Sequence, residues 1–178
     1  MDGTPARPAL WEQHPSIAFD NCNICSYIKG VRTSCRFAVA VHVLAVLAYK
    51  RGEPATSGLL ASSVNTNPVV IRRLLRALQE AGFIETRKGA GFGSRLNRAP
   101  DRISLADVYR AVETVEPFAL HSREPNQDCP IGHCIQAALE KVFASAELAL
   151  ERELAKTNLA NILESVEDAC SRSRRRRK

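Results

Sequence analysis

Apolar residues recur along most of this chain at helical spacing, and the runs break at Gly and Pro. From Ser34 onward, Phe37, Val41, Leu44, Ala45 and Ala48 share one helix face, which Val39, Val43 and Leu47 widen. Gly52 and Pro54 stop this helix. Thr56 or Ser57 then caps a short helix carrying Leu59, Leu60 and Val64. Asn65-Thr66-Asn67-Pro68 predicts a turn and a helix start, with Asn as the cap and Pro at the first helical position, where its missing N–H costs nothing. A third helix runs from about Pro68 to Ala81. Val70, Leu74 and Leu78 line one face with Ile71 and Leu75 beside them, and Gly82 ends it.

The period then changes. Phe83 to Arg87 reads as a short strand, Lys88 to Ser94 as a glycine-rich hairpin tip, and Arg95 to Arg98 as a returning strand ended by Pro100. Ser104 and Asp107 have capping-box spacing before a fourth helix through Leu105, Val108, Tyr109 and Val112. After a polar loop, a long element runs from Ile131 or Cys134 to roughly Cys170. Its seam holds Ile135, Leu139, Val142, Phe143, Ala146, Leu150, Leu154, Leu159, Ile162, Leu163 and Val166, with a break near Thr157-Asn158. The expected organisation is therefore an N-terminal extension (1–33), a candidate for disorder; a winged helix-turn-helix domain (34–100); a connecting helix and loop (101–126); a dimerisation helix (127–170); and a disordered basic tail (171–178). The fold class is mainly α, with a small two-stranded wing and a long C-terminal dimerisation helix. An apolar seam this long exceeds what one winged helix can cover, which predicts a two-fold homodimer, the alternative being a helix folded back onto its own domain.

Composition narrows the class. The chain has 178 residues, 45% hydrophobic and 25% charged, which excludes a wholly disordered or fibrous protein and fits one domain with an extension. The longest apolar run, Phe37 to Ala48, is too short for a bilayer, and the N-terminus lacks a cationic stretch followed by an apolar one. The expectation is a cytoplasmic protein with no membrane partner. The net charge of +6 is strongly polarised: residues 34–100 carry 10 basic and 3 acidic side chains, residues 101–170 carry 6 and 13, and the last eight residues add 6 basic ones. The first half faces a polyanion on this reading.

Helix, helix, turn, helix and wing, in that order, suit duplex DNA. The major groove accepts one helix, whose N-terminal turns meet base edges. Here Thr66, Asn67, Pro68 and Val69 open that helix, and Arg72, Arg73 and Arg76 point away from its apolar face. Arg87, Lys88 and Arg95 on the wing would hold phosphates or enter a minor groove. No nucleophile elbow, phosphate-binding loop or zinc-protease pattern occurs, and the acidic residues are scattered along helices, so no catalytic residue and no enzyme activity are expected.

Ser34–Ala48, Asn65–Arg87, the glycine wing, Ile103–Glu113 and the element Cys129–Gln136 (CPIGHCIQ) together resemble the Rrf-two family of bacterial transcription regulators, the group of IscR, NsrR and CymR. NTNPVVIRRLL and CPIGHCIQ resemble its YwnA-like branch in particular. The resemblance implies a homodimer, long C-terminal helices crossing between subunits, and a two-fold DNA operator. The expected function is a homodimeric repressor responsive to redox or thiol-modifying signals. An adaptor on the same fold that has lost DNA recognition, or an iron–sulfur cluster sensor, are the alternatives.

Six cysteines occur: Cys22, Cys25, Cys35, Cys129, Cys134 and Cys170. A disulfide framework is not expected in the cytoplasm. Members of the resembled family that hold a cluster use three cysteines before the long helix. Here only Cys129 and Cys134 are present, with His133 adjacent and His121 or Cys35 as more distant candidates, so Cys129, His133 and Cys134 are weak metal candidates and no cofactor is expected. Cys129 and Cys134 are the sensor candidates, because a helix N-terminus lowers a thiol pKa. Cys22-x-x-Cys25 alone is not a zinc site, and His42, inside the apolar first helix, reads as a core histidine.

Overall fold

The computed structural model describes residues 35–87, 92–114 and 117–176. The expected N-terminal extension, the pair Cys22 and Cys25, and Lys88 at the wing tip lie outside them. Helices α1 (Arg36–Tyr49), α2 (Ser57–Val64) and α3 (Pro68–Glu80) precede the hairpin β1 (Ile84–Arg87) and β2 (Gly93–Leu96). A 3-10 turn (Pro100–Arg102) leads to α4 (Leu105–Val112), α5 (Pro130–Ala155) and α6 (Leu159–Arg176).

Sequence decides the helix ends. Thr56 caps α2 by accepting from the Leu59 N–H, and Asn67 caps α3 by accepting from the Val69 N–H at 2.8 Å, with Pro68 behind it. Between them Asn65 adopts a left-handed conformation at φ 57°. The Thr66 N–H bonds the Ala61 carbonyl and the Asn65 N–H bonds that of Ser62, so two of the last four carbonyls of α2 are satisfied. The turn between the two helices is thus fixed by backbone bonds. At α4 the Ser104 hydroxyl accepts from the Asp107 N–H at 3.1 Å and donates to the Asp107 carboxylate at 2.7 Å.

One core joins these elements. Val43, Leu44 and Leu47 of α1 are fully buried with Leu60 of α2, Ile71 and Leu78 of α3, Ile84, Ile103, Val108, Val112 and, from the far end of the chain, Leu159 of α6. The first turn of α1 is held by α4: the Phe37 N–H donates to Glu113 at 3.0 Å, and the Phe37 and Tyr109 rings meet edge to face at 5.5 Å.

Several expectations change. The return strand starts at Gly93 rather than Arg95, in the register Ile84↔Leu96, Glu85↔Arg95, Thr86↔Ser94 and Arg87↔Gly93. The cause is Ala55, whose N–H and C=O both bond Ser94, at 2.9 Å each, clamping the strand against the chain before α2. Gly93 sits at φ +145°, and an added Cβ would come within 3.0 Å of the Ala55 carbonyl oxygen, so only glycine fits there. His42 is exposed and bonds Ser63 on α2 rather than joining the core. Val70 is also exposed; Ile71 takes the core position.

The long C-terminal element is two helices. It breaks at Lys156–Asn158, where Asn158 and Asn161 bond each other's backbone N–H groups and Leu105 bonds the Thr157 carbonyl. The tail expected to be disordered continues α6 as helix through Arg176. Side-chain pattern and helix end agree there, since arginines at a helix C-terminus complement its dipole. Among the described residues of α5 none is buried. Ile131, Val142 and Leu148 are 71%, 61% and 55% exposed.

Candidate nucleic-acid interface

Helix α3 divides cleanly by angle. Ile71, Leu74, Leu75 and Leu78 form the buried side. At 100° per residue the diametrically opposite stripe is Val69, Arg73, Arg76 and Glu80, with Val70 and Arg72 on its two flanks. Pro68, Val69, Val70, Arg72, Arg73 and Arg76 are all exposed, as is Asn67, while Thr66 is half-buried. Arg76 and Glu80 approach to 4.0 Å, an exposed pair worth little. Arg72 and Arg73 make no ion pair among the described residues. Their guanidinium groups therefore have every donor available.

The wing differs from expectation in one respect. Arg95 lies across the sheet against Glu85, its ladder partner, and Arg87 approaches the same carboxylate at 3.9 Å. Glu85 thus offsets part of the wing's positive charge. Sequence reasoning passed over this residue, although alternation places Glu85 and Arg95 on one face of neighbouring strands. A shallow cleft of about 480 Å3 between α3 and β1 is lined by Arg72, Leu75, Arg76, Gln79, Glu80 and Thr86. Thr86 and Ser94 bond through their hydroxyls at 3.0 Å beneath it.

A profile of the Rrf2 family, described as iron-dependent transcriptional regulators, matches residues 33–165. The chain belongs to the Rrf2 family. YwnA of Bacillus subtilis, provisionally named an HTH-type transcriptional regulator, is 43% identical over 129 residues, covering 72% of this chain and 94% of its own. The crystal structure of a protein provisionally described as DNA-binding is 40% identical, with a TM-score of 0.59 over 72% of this chain and 98% of that one. A provisional transcriptional regulator from Lactobacillus plantarum is 25% identical, with a TM-score of 0.65 over 75% of this chain and 90% of its own. As a member of the Rrf2 family this chain is a transcription regulator on a winged-helix fold.

Iron, named in the family's description, needs side-chain ligands that converge on one point. Cys129 is the N-cap of α5 and Cys134 lies on its second turn, both exposed. Five residues apart on a helix, they diverge rather than converge. Nδ1 of His133 bonds Gln127 at 3.1 Å. Among the described residues no group of three His, Cys, Asp or Glu side chains is arranged to hold a metal ion. The described residues of one chain do not fit an iron site. The backbone N–H groups of Gly132, chiefly, and Ile131 at the start of α5 hold the Cys129 thiol pKa below the ordinary value.

Proposed function

We propose that this chain is a cytoplasmic, non-catalytic, homodimeric repressor that binds a two-fold operator in double-stranded DNA through α3, and whose operator affinity responds to modification of Cys129. The observation that carries the reading is the exposed stripe of α3, in which two unpaired arginines follow a capped, rigidly turned helix start. Thr66, Asn67, Pro68, Val69, Arg72, Arg73 and Arg76 face the major groove. Arg87, with Lys88 beyond it, holds backbone phosphate, and Arg95 acts through the wing's shape. YwnA and the 40%-identical protein, provisionally named for HTH-type regulation and DNA binding, support the partner. The exposed apolar residues of a 26-residue helix with no buried position support the dimer. No helix of the described residues is long and apolar enough to cross a membrane.

Fluorescence anisotropy with duplex from the gene's own upstream region tests the reading. Affinity is expected to fall linearly in log–log form as salt rises, because phosphate contacts release counterions. Salt-independent binding, or none, would refute it. Sedimentation should show a two-chain particle, and Val142→Glu should convert it to single protomers and weaken operator binding, since a charge in an apolar interface is costly. A dimeric Val142→Glu protein would place the interface elsewhere.

The thiol part has its own measurement. A pKa below the ordinary value gives Cys129 a larger thiolate fraction at pH 7. Iodoacetamide should therefore label the Cys129 peptide faster in the folded protein than in the denatured chain at that pH, and the advantage should fade above about pH 8.5, where an ordinary thiol ionises too. Equal labelling at pH 7 would remove Cys129 as the sensor.

A further inference from the structure

The first turn of α3 exposes hydrocarbon where a solvated helix would carry polar groups. Val69 is 44% and Val70 48% exposed, although the same helix buries Ile71, Leu74, Leu75 and Leu78 almost completely. Val69 is not a loosely packed core residue, because it lies on the stripe opposite the core; Val70 lies at the margin beside Leu74 and still exposes nearly half its surface. Arg72 and Arg73 follow Val69 at i+3 and i+4, and Arg73 follows Val70 at i+3, so unpaired guanidinium groups flank the apolar patch. Asn67, just before them, has its side-chain oxygen committed to the Val69 N–H, which leaves only its amide N–H groups to face outward.

A surface of two branched hydrocarbons bordered by cations does not suit another protein's apolar face, which would leave the arginines unpaired. It does suit a major groove, where phosphates meet the arginines and one base alone offers an apolar group, the C5-methyl of thymine. We propose that Val69 and Val70 are specificity-determining residues that read thymine methyls beside a guanine gripped by Arg72 or Arg73. This deepens the operator-binding reading and rests on it. Four residues of helix rise span about 6 Å, and base pairs are about 3.4 Å apart. The thymine and the guanine therefore lie within about two base pairs in each half-site.

The test uses the full-length chain. A random-sequence duplex pool is selected on it, and each recurring thymine of the selected site is then replaced by deoxyuridine, which keeps every hydrogen-bonding group and removes only the methyl. One or two thymines per half-site should lose about three- to fivefold in affinity each when so replaced. At the thymine that each valine reads, that loss should shrink in Val69→Ala or Val70→Ala, which removes both γ-methyls of that side chain. Both substitutions are at exposed helical positions where alanine is well tolerated. A selected site insensitive to deoxyuridine at every thymine, or equally sensitive in the valine variants, overturns this inference and leaves operator binding standing. A chain that retains no duplex from the pool overturns both.

Discussion

Leu159→Ala is expected to lower the unfolding free energy by about 2–5 kcal/mol, the cost of emptying a fully buried leucine site. Leu159 is 0% exposed, and its N–H bonds the Ile103 carbonyl at 2.9 Å, so neither its side chain nor its backbone can shift freely to fill the space. The residue opens α6 yet packs in the core beside α1 and Ile103. Denaturant unfolding at one fixed chain concentration measures the effect, with the midpoint falling and the slope unchanged. A loss below about 1 kcal/mol would mean that α6 rests on the body without contributing to its core.

The second large effect is on binding. Arg72→Ala and Arg73→Ala should each weaken operator binding by about 1–3 kcal/mol, roughly 5- to 150-fold, and reduce discrimination against random duplex. Neither guanidinium makes an ion pair among the described residues, so each is available for a bidentate grip on guanine or phosphate. Arg95→Ala should cost less, because that side chain is already committed to Glu85. Titration of operator and scrambled duplex with each variant reads both quantities. Undiminished affinity in both Arg72→Ala and Arg73→Ala would show that another face of the protein meets DNA.

Local chemistry made most of the fold legible. The Asn67-Pro68 start, the Thr56 cap, the Ser104–Asp107 spacing and the break near Thr157-Asn158 are each short-range signals, and each marks a helix end in the structure. What periodicity misplaced depends on long-range partners. Val70 lies beside Leu74 on the wheel, as Ile71 lies beside Leu75 and Leu78, and only the elements packed on α3 decide which of the two turns inward. Gly93 and Ser94 read as loop because the clamp that makes them strand comes from Ala55, far back in the sequence. The arginine-rich tail lacks any apolar residue, which argues for disorder; it is helical because it extends a helix already nucleated and anchored at Leu159. The basic face of α3 was visible in the sequence, while the neutralising role of Glu85 on the wing required the strand register.

The position of Leu159 in the core also has a consequence for biosynthesis. Translation is vectorial, and the winged-helix segment emerges from the ribosome long before the residue that completes its interior. The nascent reading head must wait, with an open apolar site between α1 and Ile103, while all of α5 is made. Closure is thus a long-range, slow-forming contact, and it comes after the segment proposed to pair with a second copy is already synthesised. Chaperone engagement in that interval would act on the gap that Leu159 later fills.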